Sequence, residues 1–96
     1  MAFVEPASLD SLPVGRAAVV AAVRAPSHAP EWSRWLEEIG FLPGERVAVM
    51  TRGAFGGDPL VVRVGMSSFA LRRAEAACVL VERHGLGDGP QSAVSE

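Results

Sequence analysis

Apolar residues recur along this chain in short runs separated by glycine and proline, and their spacing switches once from a strand period to a helix period. "RAAVVAAV", Arg16 to Val23, is a compact valine-rich run and predicts the first strand, although its alanines also fit a helix. The two prolines of "RAPSHAP", Arg24 to Pro30, make a loop. Trp32, Trp35, Leu36 and Ile39 then fall at i, i+3, i+4 and i+7, the single stripe of an amphipathic helix. That helix is predicted over Pro30 to Ile39. Pro30 suits its first turn, Glu31 complements the positive end of its dipole, and Glu37 and Glu38 sit on the wet side.

The helix has a written stop. Gly40 follows the last periodic residue, where a glycine can take the left-handed conformation that caps helix ends. With Gly40 at C′, Phe41 is C″ and Leu36 is C3, the pair whose contact accompanies this cap. "LPGE" follows, with Pro43 and Gly44 at the central positions of a type II turn. In "RVAVMT", Val47 and Val49 point to one face of a strand and Ala48 and Met50 to the other.

"RGAFGGD", Arg52 to Asp58, is predicted as a glycine-rich hairpin connection, and "PLVVRV", Pro59 to Val64, as a strand that opens on its proline. "GMS" turns the chain, "SFALR" is a fourth strand, "RAEAA" makes one turn and "CVLVER", Cys78 to Arg83, is the fifth strand. The pattern predicts a mainly β domain: a small, partly open antiparallel barrel of about five strands with one inserted α-helix. Residues 1–8 are expected as a lead-in, 9–83 as the barrel and 84–96 as a flexible tail, with Phe3 outside the barrel.

The chain has 96 residues, enough for one domain that buries roughly 60–70 % of its unfolded surface. Apolar residues make up 49 % and charged residues 21 %, a globular composition. All nine basic residues are Arg, while Lys, Asn and Tyr are absent, which fits a GC-rich bacterial coding bias. A net charge of −2 argues against a protein whose main task is gripping phosphates. No run approaches the length of a transmembrane helix, and "MAFVEPASLDSLPVG" lacks the basic end and apolar stretch of a signal peptide, so the expected location is the cytoplasm. Cys78 is the single cysteine, which excludes an internal disulfide, and its apolar neighbours predict an inert buried thiol.

"WLEEIGFLPGERVAVM" and "GDPLVVRVGMSSFALRRAEAACVLVE" together resemble the FeoA family, the small cytoplasmic accessory proteins of bacterial ferrous iron transport. The resemblance spans Leu9 to Glu82 and lies in the order and spacing of helix leucine, glycine, proline-glycine, strand, Gly-Asp-Pro and Ala-Leu-Arg segments. It implies an SH3-like β-barrel with helical insertions, acting through the membrane GTPase that moves Fe²⁺, a FeoB-like partner. The same fold is appended to metal-dependent repressors. Many family members carry a basic residue immediately before the helix leucine, whereas here Trp35 precedes Leu36, so no role of that basic side chain is carried over.

The residues offer little catalytic chemistry. His28 lies in a proline-flanked loop and His84 at the start of the tail, with no evident nucleophile beside either, and the protein is not expected to be an enzyme. "GAFGGDP" lacks the Gly-Lys-Ser/Thr ending of a phosphate loop. His28 with Glu31 and His84 with Glu82 are weak metal-ligand pairs, short of the four ligands of a closed zinc site. No resident cofactor is expected, and at most weak or adventitious Fe²⁺ or Zn²⁺. No strand interleaves Arg with aromatics, so no nucleic-acid partner is expected either.

What remains is recognition of another protein. Two tryptophans on one short helix exceed what so small a core obviously needs, and Trp is enriched at binding hot spots. A core-facing stripe is the better account of Trp32 and an equally good one of Trp35. Trp35, Phe41, Leu42, Pro43 and Arg72 are the candidate contacts, with Phe41 also expected to pack on Leu36 and Leu42 expected to be exposed. The expected function is docking on, and modulating, the membrane Fe²⁺ transporter GTPase, without membrane insertion and with a weak homo-oligomer as a further contact. The alternative is an iron-responsive metal-binding regulator.

Overall fold

The computed structural model of the chain describes residues 4–84. Its elements are β1 (Val4–Ser8), a short 3-10 turn (Leu9–Ser11), β2 (Ala17–Val23), α1 (Glu31–Ile39), β3 (Arg46–Phe55), β4 (Asp58–Val64), β5 (Ser67–Leu71), α2 (Arg73–Ala76) and β6 (Val79–His84). The strands form one antiparallel sheet in the order β1-β6-β2-β3-β4-β5, with β1 and β5 as unjoined edges. The barrel is therefore open, as expected, but it has six strands.

The additional strand is β1, which corrects the reading of 1–8 as a lead-in. "VEPAS" shows no apolar alternation, yet Val4 to Ser8 pair with His84 to Leu80, because β6 would otherwise present an unpaired edge. The same pairing makes His84 the last residue of β6, not the first of the tail. Gly85 onwards, and Phe3, lie outside the described residues.

β3 is also longer than expected. It continues through Gly53 and Ala54 to Phe55, and only Gly56 and Gly57 form the turn, with φ of 69° and 79°. Both central residues left-handed is the geometry that hairpin strands prefer. The glycines read as a loop are thus strand plus a two-residue turn.

Burial follows the predicted faces. Val47 and Val49 of β3 lie in the core with Val20, Leu60, Val62, Leu71, Val79 and Val81, whereas Met50 is exposed. One charged side chain braces this frame from the rim: Arg52 Nη2 donates to the carbonyls of Asp10 at 2.8 Å and Leu12 at 2.5 Å, tying the 3-10 turn to β3.

α1 ends as its sequence dictates. Gly40 has φ 126°, its N–H donates to Glu37 O at 3.1 Å, and the Phe41 N–H donates to Leu36 O at 3.0 Å. This is the Schellman pair of bonds, and Leu36 and Phe41 are both fully buried. The next turn is also as expected, with Gly44 at φ 93° and the Glu45 N–H on Leu42 O at 3.0 Å. Gly40→Val should lower stability by about 1–2 kcal/mol, because a β-carbon disfavours that backbone conformation. An unchanged melting temperature in a circular dichroism scan would contradict the cap.

Candidate functional site

The candidate contacts separate into a buried member, an exposed group around the end of α1, and a distant arginine. At 3.6 residues per turn Trp35 lies about 60° round the helix from Trp32, at the margin of the stripe centred on Leu36. Trp32 and Ile39 accordingly pack against the core, while Trp35 is 37 % exposed. The two tryptophans thus have different tasks: Trp32 is scaffold, and Trp35 is half surface.

Leu42 is 46 % exposed, and Pro43 beside it is exposed as well. Their position follows from the cap and the type II turn, which carry the chain outward between two buried anchors, Phe41 and Val47. The turn is tied to β2, with the Gly44 N–H on Val20 O and the Val20 N–H on Glu45 O, each at 2.9 Å. Leu42 and Pro43 therefore stand on a rigid support. Phe41 does not join them. It is fully buried, so it cannot touch a partner of the folded protein; the contact that caps the helix is what takes it out of reach.

Arg72 is exposed but lies elsewhere. It precedes α2, its N–H donates to Glu75 Oε1 at 2.8 Å, and it borders a shallow hollow with Asp58 and Pro59. Its neighbour Leu71 pairs with Leu60, which pairs with Arg52, six positions along β3 from Arg46. At strand rise that is roughly 20 Å from the Leu42 turn. Arg73 stays at the same far end, its N–H on Asp58 Oδ1 at 3.0 Å and its guanidinium on Gly56 O at 3.3 Å.

The two weak metal-ligand pairs lie at separate places in the fold. His28 is exposed in its loop and meets Trp32 edge-on, with ring centroids 6.1 Å apart and planes at 72°. Glu31 is the exposed first residue of α1. His84 ends β6 opposite Val4, whereas the loop of His28 leaves the sheet where Val23 pairs with Val79, at the other end of that strand. Among the described residues no group of three or more His, Cys, Asp or Glu could hold a metal ion.

Cys78 is buried, as expected, with its Sγ donating to Ala74 O at 3.5 Å. Burial, aided by the Glu75 and Asp10 carboxylates, pushes the thiol above its ordinary range, so it stays protonated and unreactive near neutrality. No helix among the described residues is long and apolar enough to cross a membrane.

Comparison with known proteins accounts for this arrangement. The family model of the FeoA domain matches residues 7–83. The crystal structure of Stenotrophomonas maltophilia FeoA complexed with zinc, described as a procaryotic SH3 domain protein and a candidate ferrous iron transport activating factor, is 41 % identical. The match covers 78 % of this chain and 88 % of that one, with a TM-score of 0.71. Iron(II) transport protein A of Clostridium thermocellum is 29 % identical over 79 % of this chain and 44 % of its own, with a TM-score of 0.67. A manganese-dependent transcriptional repressor shares the fold alone, at 22 % identity over 82 % of this chain and 42 % of that one, with a TM-score of 0.68. No match is found among curated protein sequences. The open six-stranded sheet is thus of the SH3-like type, and the chain belongs to the FeoA family, which is associated with ferrous iron transport.

Proposed function

We propose that this protein is a non-enzymatic cytoplasmic accessory protein of bacterial ferrous iron uptake, which docks on the membrane Fe²⁺ transporter GTPase, a FeoB-like protein, and modulates it. Membership of the FeoA family supports the pathway, as does the 41 % identity to the S. maltophilia protein. The observation that carries the docking is the exposure of Leu42 on a turn that the sheet holds in place, with half-exposed Trp35 one helical turn and a cap away. The exposed part of a large apolar side chain on a fixed turn adds nothing to folding. On a partner it becomes a preorganised anchor with little ordering entropy to lose.

Docking modulates the GTPase only through different affinities for its states. In this reading the barrel carries no resident cofactor, and its effect on the transporter runs through surface contact. The test is retention of the purified full-length transporter on this protein, with and without guanine nucleotides. Leu42→Glu and Trp35→Ala are each expected to weaken binding by about 1–2 kcal/mol or more, as hot-spot truncations do. Leu42→Glu should leave the melting temperature nearly unchanged, since surface substitutions cost within about 0.5 kcal/mol. Absence of binding in every nucleotide state, by a folded protein, would remove the docking role.

A further inference from the structure

The turn between β4 and β5 contributes a residue to this surface. Val64 and Ser67 pair, so Gly65 and Met66 alone reverse the chain, with Gly65 at φ 57° in the first central position, as a type II′ hairpin requires. Met66, at the tip, is 97 % exposed. The turn stands beside the end of α1. Its Gly65 N–H donates to Arg46 O at 3.3 Å, and a β-carbon on Gly65 would lie 3.7 Å from Glu45 Oε1. A β-carbon on Gly40 would meet Val64 at 3.7 Å. Two apolar side chains, Leu42 and Met66, therefore stand in solvent on adjoining turns at one end of the sheet.

The charge around them has one prevailing sign. Glu37 and Glu38 lie exposed in the last turn of α1, where the helix carbonyls already concentrate negative potential, and no basic residue shares that turn. Glu45 is exposed between Leu42 and Met66. Among the described residues none of the three forms an ion pair, and neither do Arg34 and Arg46 of the same stretch; Arg63, exposed on β4, is the cation that precedes the Met66 turn. Residues 31–46 hold four glutamates and two arginines, a net of −2, as large as that of the whole chain. Carboxylates at a helix C-terminus cost stability, and a cation brought to them recovers it.

We infer that this end of the barrel receives an apolar segment of a protein partner that carries Lys or Arg, its apolar side chains against Leu42, Pro43 and Met66 and its cations against Glu37, Glu38 and Glu45. The inference rests on the docking reading and names the chemistry that reading leaves open. An anionic lipid surface would be repelled by the same glutamates. A second copy across a two-fold axis would set them facing one another. Methionine, unbranched and polarizable, suits a contact that must adapt to its partner's side chains.

The test has two arms. Two synthetic amphipathic helical peptides, one of Leu and Lys and one of Leu and Glu, are titrated while the methyl resonances of Leu42 and Met66 are followed by NMR. The first should shift them and the second should not. Binding of the full-length transporter is then measured for the double variant Glu37→Gln, Glu38→Gln and for Met66→Ser. The double variant should bind about three- to tenfold more weakly, chiefly through slower association, and lose most of the salt dependence. Met66→Ser should bind more weakly with unchanged melting.

Equal shifts from both peptides, or transporter binding indifferent to the double variant, would overturn the inference and leave docking intact. Shifts from the Leu–Lys peptide without any transporter binding would sink docking on that transporter and leave the chemistry of the surface standing. Failure of both arms, or retention of the protein on phosphatidylglycerol vesicles, would refute the inference outright.

Discussion

Phe41→Ala is expected to cost about 3–5 kcal/mol, the range for removing a fully buried aromatic side chain. Phe41 has no exposed surface and lies in the central cluster beside Leu36. It is also the C″ residue of the helix cap, so its ring fastens α1 to the sheet. Domains of this size have total stabilities of roughly 5–10 kcal/mol, so the loss would consume a large share. At about 4–8 °C per kcal/mol the melting temperature should fall by at least 12 °C or so in a calorimetric scan. A fall of only a few degrees would mean that α1 is held elsewhere. The adjacent Leu42→Glu is the internal control: neighbours in sequence, they should differ severalfold in effect on stability and in the opposite order on partner binding.

Gly53→Ala should destabilise by about 3 kcal/mol, the upper end for overpacking. In a strand with ordinary backbone angles the replacement would normally gain a few tenths to 1 kcal/mol, roughly, by restricting the unfolded chain. Here a β-carbon would lie 2.3 Å from Asp58 O and 2.6 Å from Asp58 C. These are backbone atoms, so no rotamer relieves the overlap, and the hairpin itself must open. The close approach has a cause in the register, which shifts between Arg52 and Phe55 and folds the end of β3 over the start of β4. The sign of the change in a urea titration decides the matter: a midpoint that rises would show that the strands are farther apart there.

What was legible in the sequence was what short-range physics specifies. The helix read over 30–39 and found over 31–39 with Pro30 as its N-cap, its cap at Gly40 and the turn at Pro43-Gly44 all depend on residues a few positions apart. β1 was not legible, because "VEPAS" becomes a strand through its partner β6, some 75 positions away, and nothing local announces it. The glycines at 53, 56 and 57 carry two meanings, close approach and left-handed turn, which composition alone does not separate.

The site divides along the same line. Leu42 was legible as exposed because a proline-glycine turn fixes its place, but Phe41 was counted as a contact although the cap that identified it also buries it. Arg72 was grouped with Leu42 for want of any measure of which strand end each would occupy. Met66 carried a usable signal, an apolar residue after glycine in a two-residue hairpin, but its nearness to Leu42 is a property of the folded sheet.

The place of β6 in the strand order bears on how the molecule comes into being. β6, the sixth strand among the described residues, is inserted between the first two, pairing with β1 on one side and β2 on the other. During synthesis β3 can pair with β2, β4 with β3 and β5 with β4, but the other edge of β2 stays open until Val79 to His84 have left the ribosome. Loops of some 60–80 residues must then close before those pairings form, which places folding in the slower regime of high contact order. The sheet is completed only when β6 arrives, and a chain released before residue 79 would display an unpaired valine-rich edge to its neighbours.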